Sequence, residues 1–236
     1  MLIIFDVDGT LVGGETDDCA CFDQAVAAVV GFTLNSAFFD SLPEITAQAI
    51  AESSVRAANQ DVGVGWEEKI RDEYLRRLRD THSRDAAAFP PRHGVCSLLA
   101  SLSTTSGVSV AIATGCWHAT SSFKLAAAGI DVSSYPMATS SDTRSRSEII
   151  RLAAQRAGRA LSDAVYVGDG LWDLKASQSL GVPFIGTGRK LDRLKEAGAL
   201  HWVEKFEPQC FLNTVCNALN RTNPVSTRAP SRLELE

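Results

Sequence analysis

The sequence begins MLIIFDVDGT, an apolar run that ends in two acids one residue apart, Asp6 and Asp8, followed by Gly9 and Thr10. Like charges this close are costly unless something positive lies between them. In an extended strand, alternate side chains share a face, so both carboxylates point to one place. Other apolar runs end in the same fashion. Val108–Ala113 is followed by Thr114 and Gly115, and Ala164–Val167 by Gly168-Asp169-Gly170 and then Asp173. In an open parallel sheet, ligands bind outside the carboxyl ends of the strands. The pattern therefore gathers carboxylates and one hydroxyl on a single rim. Asp is common in turns and at helix N-caps, which explains one such residue but not this many together. A hard divalent cation such as Mg²⁺ takes oxygen ligands and relieves the repulsion.

The rim needs a sheet to carry it. Leu2–Phe5, Val108–Ala113, Ala164–Val167 and Pro183–Ile185 are near-continuously apolar, as strands buried on both faces are. Helical patterns lie between them, at 94–103, 119–128, 146–157 and 171–180, and the last three stop at Gly129, Gly158 and Gly181. This alternation predicts an α/β fold with a doubly wound parallel sheet. Residues 17–82 break the alternation. They read as helices at 17–30, 43–59 and 66–80, and EEKIRDEYLRRLRD is amphipathic, with Ile70, Tyr74, Leu75 and Leu78 on its apolar side. The expected organisation is an α/β core from 1–14 and 90–219, a small all-helical cap at 15–89, and a disordered tail at 220–236 with two prolines and little apolar content.

Composition narrows the partners. The 236 residues carry a net charge of -5, which argues against a general nucleic-acid binder but not against a small phosphorylated ligand. No apolar run approaches the roughly 20 residues that span a bilayer, and no basic segment precedes a long apolar one, so no membrane partner and a cytoplasmic location are expected. The six cysteines contain no C-x-x-C pair, so a zinc site is not expected, and most are expected to be small buried apolar residues. A monomer or homodimer is expected. His82, His93 and His201 have no carboxylate or cysteine at ligand spacing and are read as ordinary residues.

D-V-D-G-T at 6–10, the apolar strand ending in Thr114, and G-D-G-L-W-D at 168–173 together resemble the haloacid dehalogenase-like hydrolases, over about 2–16 and 92–206. The resemblance implies a Rossmann-like core and a Mg²⁺-dependent phosphatase. Asp6 would be the nucleophile that forms an aspartyl-phosphate. Asp8 would protonate the leaving oxygen and then activate water. Thr114 and Gly115 would bind the phosphoryl group. Mg²⁺ would be held by Asp6, Asp169, Asp173 (directly or through water) and the Asp8 carbonyl. The helical block matches a cap inserted after the first motif, hinged at Gly13-Gly14, that closes over the site and reads the leaving group.

One family feature is missing. A lysine is expected near the start of the helix before the third core strand, where the sequence reads SSDTRSRSEIIRLAA. Arg146 sits best for that role, Arg144 next, and Lys124 aligns less well. An arginine fork can hold a phosphoryl oxygen but does not reproduce a lysine point charge. Glu15 and Thr16 are weak substrate-contact candidates, and Trp117 and His118 are read as helix N-terminal packing. Dehalogenases of the superfamily lack an acid at the place of Asp8, which disfavours that chemistry. A sugar phosphomutase and a non-catalytic binder of phosphorylated ligands remain alternatives.

Overall fold

The computed structural model describes residues 1–58 and 64–220; the tail expected to be disordered therefore lies, from residue 221 on, outside the described residues. Among the described residues, six strands form one sheet: β1 Leu2–Phe5, β2 Ser109–Ala113, β3 Met137–Ala138, β4 Ala164–Gly168, β5 Phe184–Gly186 and β6 His201–Trp202. Every pairing is parallel, and the order is β3-β2-β1-β4-β5-β6. β1 is thus central, and the ends of β2 and β4 flank the end of β1. That order is the doubly wound arrangement whose crevice opens where the winding reverses, at β1.

The helices are α1 Glu15–Val30, α2 Ser36–Asp40, α3 Ala47–Ala58, α4 Trp66–Arg84, α5 Val95–Thr104, α6 His118–Ala127, α7 Arg146–Arg156, α8 Leu171–Leu180, α9 Leu191–Glu196 and α10 Pro208–Ala218. Strand side chains alternate between two apolar layers. Leu2 and Ile4 join Ala111, Tyr166 and Phe184 beneath α7, α8 and α9. Ile3 and Phe5 join Ile112, Val165 and Ile185 beneath α5 and α10. The second layer does not stop at the core. It continues through Trp117 and Leu125 of the α6 segment into Phe22, Val26, Ile70, Tyr74 and Leu78 of α1 and α4. The spacing of Ile70, Tyr74 and Leu78 puts them on one helix stripe, which is why the charged α4 sequence packs at all.

The chain leaves and re-enters the core through two segments that pair with each other. Val12 bridges Pro91, Gly13 N–H donates to the Pro90 carbonyl at 2.8 Å, and Arg92 N–H to that of Leu11 at 2.9 Å. The expected Gly13-Gly14 hinge is therefore one half of a two-segment connection.

The four expected strands are present, each within a residue or so of its predicted bounds. β3 and β6 were not foreseen; each spans two residues, too few for any periodicity to register. α2, α9 and α10 were not foreseen either. The expectation that most cysteines are buried is corrected: Cys19, Cys96 and Cys210 are exposed, Cys116 is half-buried, and Cys21 and Cys216 are buried. No helix among the described residues is long and apolar enough to cross a membrane.

Candidate active site

Asp6 is the first residue past β1, and its N–H continues the sheet ladder to the Val167 carbonyl at 2.9 Å. Its side chain is 4% exposed. The chain then turns sharply: Leu11 and Val12 N–H groups both donate to the Val7 carbonyl. Gly9 makes the turn possible for two reasons. Its φ is 74°, and a Cβ there would lie 2.1 Å from Asp169 Oδ2. The glycine lets the first turn and the β4 carboxylate approach each other.

Asp6, Asp169 and Asp173 each present an oxygen within 4.8 Å of the others. Burial pushes the Asp6 carboxyl well above its ordinary range, Asp173 adds to this, and Arg146 opposes it. Burial likewise pushes Asp169 up to about 8, helped by Asp173 and Asp8. A largely buried set of oxygen-only donors, whose ionisation burial and mutual repulsion oppose, has the chemistry that suits a hard divalent cation. Asp173 differs from the other two. It is fully buried, and three donors already reach it: Arg146 Nη1 at 2.7 Å, Tyr166 Oη at 2.9 Å and Gly170 N–H at 3.0 Å.

Of the two arginines considered for the missing lysine, the structure brings Arg146 to Asp6. Nη1 is 3.4 Å from Asp6 Oδ1 as well as bonded to Asp173. Burial alone would lower its pKa, but Asp173, Tyr166 and Asp6 outweigh that and hold the guanidinium charged. Arg144 is exposed and pairs with Glu52 of α3 at 3.0 Å. The second arm of Arg146 does something a lysine could not. Nη2 donates to the Ile45 carbonyl at 3.0 Å, in the segment leading into α3, and the Arg146 backbone N–H donates to Glu44 at 3.2 Å. Next to it, Ala47 N–H donates to the Gly115 carbonyl at 2.7 Å. Gly115 leaves the space for this: a Cβ there would lie 2.2 Å from Nη2. Arg146 Nε and Thr10 Oγ1 are buried with no partner.

Thr114, 1% exposed, stands at the end of β2, where its Oγ1 accepts from Cys116 N–H at 3.2 Å. Trp117 packs as expected, fully buried, with Nε1 donating to Gln48 at 3.0 Å. His118 is exposed. Glu15 lies 3.9 Å from Arg92 and 4.0 Å from Arg189, and its Oε2 is buried without a partner.

Asp8 lies past the end of β1, and its carboxylate is held in a second group rather than sharing one face with that of Asp6 as strand alternation predicts, although its charge still acts on Asp6 and Asp169. Lys124 Nζ is 2.6 Å from Asp8 Oδ1 and 2.7 Å from Asp18 Oδ1. Cys116 Sγ donates to Asp8 Oδ2 at 2.9 Å. Tyr74 Oη donates to Asp18, and Lys124 reaches the same hydroxyl at 3.2 Å. Lys124 is fully buried. The sequence ranks Lys124 behind Arg146 and Arg144 for the place of the expected lysine, although a signal for its burial is present. Thr120, Ser121, Lys124 and Leu125 form the inward side of α6, and a lysine on a buried stripe requires a carboxylate.

A family model described as haloacid dehalogenase-like hydrolase matches residues 3–187. Solved structures share the fold at low identity. A hydrolase from Pseudomonas syringae is 20% identical with a TM-score of 0.71, the match covering 91% of this chain and 97% of that one. A β-phosphoglucomutase from Clostridium difficile is 17% identical with a TM-score of 0.70, covering 93% and 96%. CbbY from Rhodobacter sphaeroides, in complex with phosphate, is 21% identical with a TM-score of 0.68, covering 87% and 94%. No curated protein matches the chain.

Proposed function

The chain belongs to the haloacid dehalogenase-like hydrolases, and on that premise we propose that it is a Mg²⁺-dependent phosphatase of a small phosphorylated metabolite. The observation that carries this reading is the charged Arg146 fork set against Asp6 at the end of the central strand, with its Nε left unpaired and Thr114 buried on the adjoining strand end. An Asp6 oxygen attacks phosphorus, the bond to the leaving oxygen breaks, and Asp8 gives that oxygen a proton. Asp8 then takes a proton from water, the water oxygen attacks the phosphorus of the Asp6 acyl phosphate, the bond from phosphorus to the Asp6 oxygen breaks, and inorganic phosphate leaves with the Asp6 carboxylate restored. Arg146 and the Thr114 hydroxyl bind phosphoryl oxygens as charge moves onto them. Asp6, Asp169 and the Asp8 carbonyl would hold Mg²⁺, with Asp173 acting through water because its oxygens are already bonded. Bound there, the cation offsets the negative charge that the carboxylates and the phosphoryl group bring together.

Residues 15–89 act as the cap in this reading, moving on the paired connection at 11–14 and 90–92 to admit substrate. The segment around Ile45 closes on Arg146. The test is phosphate release from p-nitrophenyl phosphate with and without MgCl₂. Metal-dependent release is expected. Absence of release under both conditions would overturn the reading. A sugar phosphomutase using the same residues would instead show isomerisation with little net phosphate.

Metal and pH are linked through Asp169. Between its ordinary value of 3.8 and about 8, the folded chain keeps a proton that the unfolded chain gives up. The unfolded chain then binds fewer protons, so stability falls as pH rises through that window. A cation that takes the proton's place reverses the loss. Adding MgCl₂ is expected to raise the melting temperature more at about pH 8 than at about pH 5. An equal rise at both would count against Asp169 as a ligand.

A further inference from the structure

The two acidic groups at the rim differ in what balances their charge. Asp6, Asp169 and Asp173 face the Arg146 guanidinium, which leaves an excess that a divalent cation matches. Asp8 and Asp18 share Lys124. Burial pushes the Cys116 thiol and the Tyr74 hydroxyl beside them well up, so both stay protonated. This second group therefore keeps one negative charge that Lys124, the cation acting on Asp18 and Cys116, does not match. Its members are also layered. Lys124 is fully enclosed, whereas Asp8 and Asp18 keep 24% and 13% of their side chains exposed. A ligand that reaches the group meets carboxylate, with the ammonium behind it. Both donors to Asp18, Lys124 Nζ and Tyr74 Oη, converge on Oδ1, and Oδ2 takes neither. The arginines nearby are committed elsewhere. Arg144 pairs with Glu52, and Arg92 and Arg189 flank Glu15, whose charge acts on Asp169 at the other acidic group.

We propose that Asp18 is a specificity-determining residue: the substrate is a phosphomonoester whose leaving alcohol carries an ammonium and no second anionic group, and Asp18 Oδ2 accepts a hydrogen bond from that ammonium. The proposal rests on the phosphatase reading, in which the leaving oxygen is the one that Asp8 protonates. Asp18 stands beside Asp8 through the lysine they share, so a charged substituent on the leaving alcohol enters its field. An ammonium gains a charge-assisted bond there. A carboxylate or second phosphoryl group meets like charge instead, away from bulk water and with no free cation in the group to receive it. A helix N-terminus attracts acids, which accounts for the exposed Asp17. It does not account for Asp18, which turns inward onto a buried lysine.

The test compares esters of similar size whose leaving groups differ in charge: phosphoethanolamine, 2-hydroxyethyl phosphate and phosphoglycolate are cationic, neutral and anionic there. In the wild type with MgCl₂, kcat/KM is expected to be highest for phosphoethanolamine and lowest for phosphoglycolate, the two differing on the order of 10²-fold. Asp18→Asn keeps an oxygen for Lys124 and Tyr74 to bond and removes the charge. In that variant the ratio between the cationic and anionic esters is expected to fall about 10-fold, a change that the esters' intrinsic reactivities cannot produce. Two results would overturn the proposal alone. One is a wild type that turns over p-nitrophenyl phosphate but does not favour phosphoethanolamine over phosphoglycolate and over a hexose bisphosphate. The other is a ratio that Asp18→Asn leaves unchanged. The first needs no variant, so the proposal stays open to refutation even if Asp18→Asn fails to fold. Wild-type protein that turns over no ester, p-nitrophenyl phosphate included, would overturn the phosphatase reading and this proposal with it.

Discussion

Asp6→Asn is expected to lower phosphate release on the order of 10⁴-fold, because it removes the attacking oxygen rather than a group that assists it. The same change is expected to leave the fold intact and to stabilise it. Asp6 is buried among like charges, and its carboxyl is pushed well above its ordinary range, first by burial and then by Asp173. A carboxylate in that state costs stability when ionised, and an amide of the same shape does not carry the charge. Arg146 keeps its shorter bond to Asp173, at 2.7 Å, so the substitution orphans no cation. Steady-state kinetics and thermal unfolding on one preparation check both halves. Activity lost together with a raised melting temperature is the signature of a residue kept for chemistry. Turnover that survives Asp6→Asn would remove Asp6 from the nucleophile's role.

Arg146 carries the second large effect. Arg146→Ala is expected to lower kcat by about 10²- to 10³-fold, as loss of a preorganised donor to the transition state does. It also leaves Asp173 buried without its cation, and breaking a buried pair from one side costs about 3–5 kcal/mol. Urea unfolding should show that loss. Arg146→Lys separates the two arms of the fork. An ammonium can still face Asp6 and Asp173, but it cannot also reach the Ile45 carbonyl. Recovery of most of the stability and much of kcat is expected, with KM raised above that of the wild type because the segment before α3 has lost its anchor. Arg144→Ala should change kcat less than about twofold, as for an exposed surface pair. A larger loss in Arg144→Ala than in Arg146→Ala would reverse the assignment.

What the sequence revealed, and what it hid, follows from the range of the interactions. The acids of the first and last motifs were legible because each sits at the end of an apolar run, and parallel strands put their ends on one side. Arg146 was legible because it opens a helix in the stretch before β4. Its second bond, to Ile45, was not: that residue is 101 positions away, and no local pattern records the contact. The role of Asp173 was only half legible. It was read as a metal ligand, but its donors come from Tyr166 on the strand, Gly170 in the turn and Arg146 on α7, and only the folded sheet gathers them. Lys124 shows the limit most clearly. Its place on the inward side of α6 could be read from spacing. Its partner Asp18 lies 106 residues off and Tyr74 50 residues off, across the paired connection. Among the unforeseen elements, α10 did carry a signal. Pro208 stands at its start, Glu207 caps it by accepting from Cys210 N–H, and Phe211, Leu212 and Val215 fall on one side. β3 and β6 pair with β2 and β5 in the sheet, and no pattern in two residues could announce them.

The central claim is that Asp6 becomes phosphorylated during turnover. Asp8→Asn should slow hydrolysis of that acyl phosphate, so the variant can be quenched after mixing with p-nitrophenyl phosphate, reduced with borohydride and mapped by mass spectrometry. The account predicts conversion of Asp6 alone to homoserine, dependent on Mg²⁺ and absent when Asp6→Asn is added. Conversion at another residue, or phosphate release from the wild type with no phosphorylated carboxylate trapped at Asp6 in the variant, would contradict it.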